Sequence, residues 1–244
     1  MKIKAVVFDL YGTLIDIHTD EGGEDVFRII ANFLGYQGVH RHSHSIREDY
    51  YRLMAEQRQA GGEKHAEFDA VALWRRYLDE AGVDLSAGQG ARLPLTLAEL
   101  YRAASRHRLE LYPDVISVLD DLGSRFKLAM VSDAQDVWRR PEMSALGLEG
   151  RFRPVIVSSN LGYRKPDQRL FEAALAGSGA KADEALFVGN DMYRDIHGAR
   201  RAGLKTVFFR SNQGRQEMEG VEPDYIIYRF AELLQAVDFF ERQP

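Results

Sequence analysis

The chain contains no cysteine. That excludes disulfides, thiolate catalysis and cysteine-ligated zinc. Positive charge is not in excess either. The formal net charge is −5, so there is no basic surplus to attract nucleic acid. No stretch approaches the roughly 20 apolar residues of a membrane span. The opening residues, Met1 to Asp9, form too short an apolar run for a signal peptide. These absences set the expectation of a cytoplasmic protein that engages neither membrane nor nucleic acid. What remains is ordinary for a globular protein: 45% hydrophobic and 28% charged residues in a chain of 244. That length allows one or two domains.

The most informative stretch is Lys4-Ala-Val-Val-Phe-Asp9-Leu-Tyr-Gly12-Thr13-Leu14. An apolar, β-branched run ends in a carboxylate, and a Gly-Thr pair follows. This predicts a buried strand that delivers Asp9 to its carboxyl end, where ligands bind in open α/β sheets. A carboxylate there can act as a nucleophile. The alternative is an Asp that only caps a turn.

Beyond Ile15 the pattern turns helical. Apolar residues recur at helical spacing over residues 24–36, 45–59, 68–81 and 91–107, with no credible strand among them. Strands and helices alternate again from residue 111: helix 114–123, strand 127–132, strand 154–158, helix 167–176, strand 185–189, helix 194–202, strand 204–209, a short strand at 225 and a helix over 230–241. Alternation implies a doubly wound α/β fold, a parallel sheet with helices on both faces. The expected domains are a core of residues 1–16 and 111–244 and an inserted helical cap of residues 17–110. The strands ending at Asp9, Ser132 and Gly189 should lie side by side at the centre.

Three further segments share the character of the first. Ser132 ends the apolar run from Lys127, and Lys165 lies in Gly162-Tyr-Arg-Lys165-Pro166-Asp167. Asp191 and Asp195 lie in Leu186-Phe-Val-Gly189-Asn190-Asp191-Met-Tyr-Arg-Asp195. Together with Asp9-x-Tyr11-Gly12-Thr13, in this order, they resemble the haloacid dehalogenase (HAD) superfamily of hydrolases. The resemblance covers the chain except residues 17–110, and implies a Rossmann-like core with a helical cap inserted after the first motif.

The resemblance implies Asp9 as nucleophile, with Thr13, Ser132 and Lys165 completing the catalytic set. Gly12, Tyr11 and Asp133 are implied at the substrate. In a phosphatase of this family, Mg²⁺ would offset repulsion between Asp9 and the phosphate. Its candidate ligands are Asp9, the Tyr11 carbonyl, Asp191, Asp195 and Asn190. Related phosphatases usually carry a second Asp, the general acid and base, where this chain has Tyr11. Haloacid dehalogenases carry Tyr there, use no metal, and need a cap arginine, for which Arg47 is a candidate by position. They have small neutral residues at the place of Asp191 and a Tyr at the place of Phe171. A Mg²⁺-dependent phosphatase acting on a small phosphorylated metabolite is therefore the favoured expectation. A 2-haloacid dehalogenase-like hydrolase is the alternative, and a weakly active ligand-binding relative is a third. A monomer or homodimer is expected. His40, His42 and His44, the cap aromatics and the Arg139-Arg140 pair read as solvated or structural.

Overall fold

The computed structural model describes residues 1–86 and 88–243; residues 87 and 244, which fall in the expected cap and core, lie outside them. Strand β1 (Ala5–Phe8) is completely buried, as a strand covered on both faces must be. It pairs in parallel with β4 (Lys127–Ser132) on one side and β6 (Ala185–Gly189) on the other. β5 (Val155–Val157) extends the sheet beyond β4, and β7 (Lys205–Phe209) and β8 (Tyr225–Ile227) extend it beyond β6. The order is β5-β4-β1-β6-β7-β8. The strands that end in motifs thus occupy the centre, as their apolar character requires. One face packs Val6, Phe8, Met130 and Val188 against α5 (Val115–Arg125) and α9 (Leu233–Arg242). The other packs Val7, Val131 and Phe187 against α7 (Gln168–Ser178) and α8 (Gly198–Arg201).

The cap holds α1 (Glu24–Tyr36), α2 (Ser43–Ala60), α3 (Ala70–Glu80) and α4 (Gly88–Ser105). Its own core stacks Tyr50 on Tyr101 at 4.6 Å between centroids, with Phe27 and Trp74 edge-on or tilted around them. Asp69 caps α3 by accepting the Ala72 N–H at 2.9 Å.

Two expectations are corrected. The inserted region is not free of strands. β2 (Ile15–Thr19) and β3 (Arg106–Leu111) form an antiparallel ribbon that carries the chain into the cap and back. Ile15 faces Leu111 and Ile17 faces Leu109, so the period is two, where a helix to residue 107 was expected. The ribbon straddles both expected domain boundaries. The second correction is α6 (Asp136–Ala145), in a stretch where no element was expected. Pro141 and several charged residues mask its apolar positions, Trp138 and Met143. Trp138 packs into the cap core although α6 springs from the sheet. Among the described residues, no helix is long and apolar enough to cross a membrane.

Candidate functional site

The chain turns sharply after β1. The Leu10 carbonyl accepts N–H groups from Thr13, Leu14 and Ile15, the last two at 2.9 and 3.0 Å. This coil brings the Thr13 hydroxyl to Asp9, donating to Oδ2 at 2.8 Å. Gly12 permits it: φ is +88°, and a Cβ there would lie 2.2 Å from Asn190 Nδ2. Asn190 Oδ1 in turn accepts from Thr13 at 3.3 Å.

Lys165 enters from the loop before α7 and is 3% exposed. Its ammonium donates to Asp9 Oδ1 and Asp195 Oδ1, both at 2.6 Å. Burial works against that charge, but Asp195, Asp9 and Asp133 outweigh it and hold Lys165 above the ordinary lysine range. Burial pushes the Asp195 carboxyl up to about 6, with the negative charge of Asp9 adding to it and Lys165 and Arg194 pulling it down. Asp195 Oδ2 accepts the N–H groups of Asn190 and Asp191 at 3.0 Å each. Gly189 makes room, since a Cβ there would lie 2.5 Å from Asp195 Cβ.

Ser132 ends β4, and its buried hydroxyl has no hydrogen-bond partner. Asp133 Oδ1 accepts the Lys165 backbone N–H at 2.9 Å, while its buried Oδ2 has no hydrogen-bond partner. Both oxygens are thus free to bond a polar ligand.

The acidic partner of Asp9 across Lys165 is Asp195, not Asp191. Asp191 begins the π-helical segment Met192–His197 and accepts the N–H groups of Tyr193 and Arg194 on Oδ1. Its Oδ2 takes the Arg194 guanidinium at 3.0 Å and the Arg215 N–H at 3.1 Å. Burial raises its carboxyl, but Arg194 and these backbone donors outweigh it, so the net direction is down. Among the described residues, no three acidic or histidine side chains already converge as a metal cluster. The donor chemistry nevertheless fits Mg²⁺. Apart from the cations Lys165 and Arg194, the floor offers hard oxygen donors, and the carboxyl groups of Asp9, Asp133, Asp191 and Asp195 outnumber those two cations.

Over this floor lies a cleft of about 240 Å³ between core and cap, lined among others by Tyr11, Glu21, Arg58, Arg102, Asp133 and Arg194. Its walls are stitched together. Glu142 of α6, 1% exposed, accepts from the Tyr11 hydroxyl, from Arg102 Nε at 2.8 Å and from Arg106 Nη1 at 3.2 Å. Burial, then the charge of Glu142, raises the Tyr11 phenol above its ordinary value, so it stays protonated. Gln135 accepts the Ala70 N–H at 2.8 Å and donates to the Phe68 carbonyl at 2.7 Å. The Trp138 indole donates to the Ala98 carbonyl at 2.8 Å.

Arg47 does not meet this site. It lies on α2 beside Glu24, Phe27, Ser43 and His44, with its guanidinium over Tyr51. The cap arginines at the cleft are Arg58 and Arg102, which no sequence motif marks. His40, His42 and His44 are all exposed, and Arg139 and Arg140 both bond Asp136.

The model of the haloacid dehalogenase-like hydrolases matches residues 3–203. A glyceraldehyde 3-phosphate phosphatase of Methanopyrus kandleri is 30% identical over 96% of this chain and 97% of its own. A phosphoserine phosphatase of Thermus thermophilus is 34% identical over 57% of each chain. Among solved structures, a 2-haloacid dehalogenase from Pseudomonas syringae pv. Tomato DC3000 superposes with a TM-score of 0.71 at 23% identity, covering 98% of this chain and 99% of its own.

Proposed function

This chain belongs to the haloacid dehalogenase-like hydrolases, and from that premise we propose that it is a phosphatase of a small phosphorylated metabolite, with Asp9 as nucleophile. The observation that carries the reading is the pairing of Asp9 with Lys165 at 2.6 Å beside a buried, unpartnered Ser132 hydroxyl. A lysine suits a phosphoryl oxygen as a point charge, and the free hydroxyl offers a donor to another. The kinship with a phosphatase along nearly the whole chain supports the same choice.

The Thr13 hydroxyl and Lys165 fix the Asp9 carboxylate from two sides. Such fixing aligns it for in-line attack on phosphorus. Lys165 offsets charge that builds on the phosphoryl oxygens. The ester P–O bond breaks as the aspartyl phosphate forms and the alcohol leaves; water then attacks phosphorus, the Asp9–phosphorus bond breaks and inorganic phosphate departs. Asp9, the Tyr11 carbonyl and Asp195 would hold Mg²⁺, with Asp191 joining if it exchanges Arg194. When bound, the ion supplies charge neutralisation between Asp9 and the phosphate.

The test is turnover of phosphate esters and of 2-chloropropionate, each with and without Mg²⁺. Phosphate release that requires Mg²⁺ and Asp9 is expected. Halide release without metal would replace this reading by the dehalogenase one. Binding of phosphate esters without turnover would make the chain a ligand-binding relative.

A further inference from the structure

Cleaving an alkyl phosphate needs a proton for the departing oxygen. Tyr11 is badly placed to give one, because its hydroxyl already donates to Glu142 in a buried network. Three carboxyl groups line the cleft: Glu21, Glu67 and Asp133. Glu21 is paired with Arg102 at 3.0 Å. Glu67 accepts the Phe68 N–H on one oxygen and the Ser158 hydroxyl on the other, both at 2.9 Å. Asp133 differs. Its Oδ1 is anchored by the Lys165 N–H, which orients the carboxyl group, and its Oδ2 has no hydrogen-bond partner. It directly follows Ser132, whose hydroxyl is also free. The nearest cation to Oδ2 is Arg194, at 3.9 Å.

We propose that Asp133 is the general acid and base of this enzyme, an inference that rests on the phosphatase reading. In the first step an Asp9 oxygen bonds phosphorus, the P–O ester bond breaks, and the Asp133 proton passes to the departing oxygen, which leaves as an alcohol. In the second step a water oxygen bonds phosphorus and its proton passes to the Asp133 carboxylate. The Asp9–phosphorus bond breaks, and inorganic phosphate leaves with the acid restored. Burial raises the Asp133 carboxyl above its ordinary range against the pull of Lys165 and Arg194, and the charge of Asp195 adds to the rise. That shift favours the protonated form the first step uses.

The experiment measures kcat and kcat/KM of the full chain with Mg²⁺ on an aryl ester, 4-nitrophenyl phosphate, and an alkyl ester, glycerol 2-phosphate. Asp133→Asn retains an acceptor for the Lys165 N–H but has no proton to give. It should lower alkyl-ester turnover by about 100-fold and aryl-ester turnover by roughly fivefold or less, because a phenolate leaves without help. Asp133→Ser must show the same contrast, and it reads the result if the Asn variant unfolds. Equal losses on both esters would make Asp133 a positioning residue for Lys165 and overturn the proposal, as would no loss on either. A wild-type protein inactive on both esters would overturn the phosphatase reading first, before any variant is made.

Discussion

At the floor of the site, Asp9, Ser132, Lys165 and Asp195 gather where β1, β4 and β6 end, and the Lys165 ammonium ties Asp9 to Asp195. At the seam between core and cap, Tyr11, Glu142, Arg102 and Arg106 meet from four separate elements. Both regions bury carboxylates beside cations, yet they close their accounts differently. The floor keeps surplus negative charge and two unpartnered oxygens, Ser132 Oγ and Asp133 Oδ2. At the seam, Glu142 takes donors from three residues. A buried polar cluster that satisfies itself holds structure; one left short of partners has groups free to bond a ligand.

That contrast can be broken at several points. The largest effect should come from Asp9→Asn, which removes the carboxylate proposed as nucleophile. Phosphate release should fall by on the order of 10³-fold or more, with folding cooperativity intact by circular dichroism. Retention of most activity would remove Asp9 from the chemistry. Next is metal removal. Dialysis against a chelator should cost on the order of 10²-fold or more in turnover, restored by Mg²⁺. Full activity in excess chelator would show that Lys165 alone suffices.

The seam should answer in stability instead. Glu142→Ala leaves Arg102 buried beside a missing partner and should cost about 3–5 kcal/mol in urea unfolding. A cost below about 1 kcal/mol would mean that water or Glu21 replaces it. Gln135→Ala should cost about 1–3 kcal/mol, since the Ala70 N–H and Phe68 carbonyl lose their partner. The smallest effect belongs to Arg169→Ala. Its pair with Glu63 also joins core to cap, but Arg169 is 46% exposed, so urea unfolding should show no resolvable loss. A clear loss would show that surface pairs, not Glu142 and Gln135, hold the seam.

Strand placement was legible in the chain because it rests on short-range rules, whereas the proposed catalytic set was legible only through the family resemblance of its motifs. A β-branched run that ends in a polar residue specifies a buried strand and what it presents, while the need for Gly12 shows only in the fold, where a side chain would collide with Asn190. The ribbon was harder to see. Arg106-His-Arg-Leu109 follows directly on a helix, and only pairing with Ile15–Thr19 makes it a strand. Helix α6 was hidden because its apolar stripe is narrow and Pro141 interrupts it. Asp191 and Asp195 were both candidate metal ligands in the sequence, but the fold turns Asp191 to Arg194 and Asp195 to Lys165.

The sequence by itself determined that Asp9 lies at the end of a buried strand and that a helical insertion follows, because hydrophobic periodicity and turn chemistry act between near neighbours. Only the tertiary structure decided the role of Tyr11. Its hydroxyl meets Glu142, a residue 131 positions away, and that meeting exists because α6 folds under the cap. Tertiary packing likewise left Asp133 with a free oxygen and moved the arginines of the cleft from Arg47 to Arg58 and Arg102. Long-range polar contacts depend on how whole elements dock, and no local pattern of residues encodes that docking.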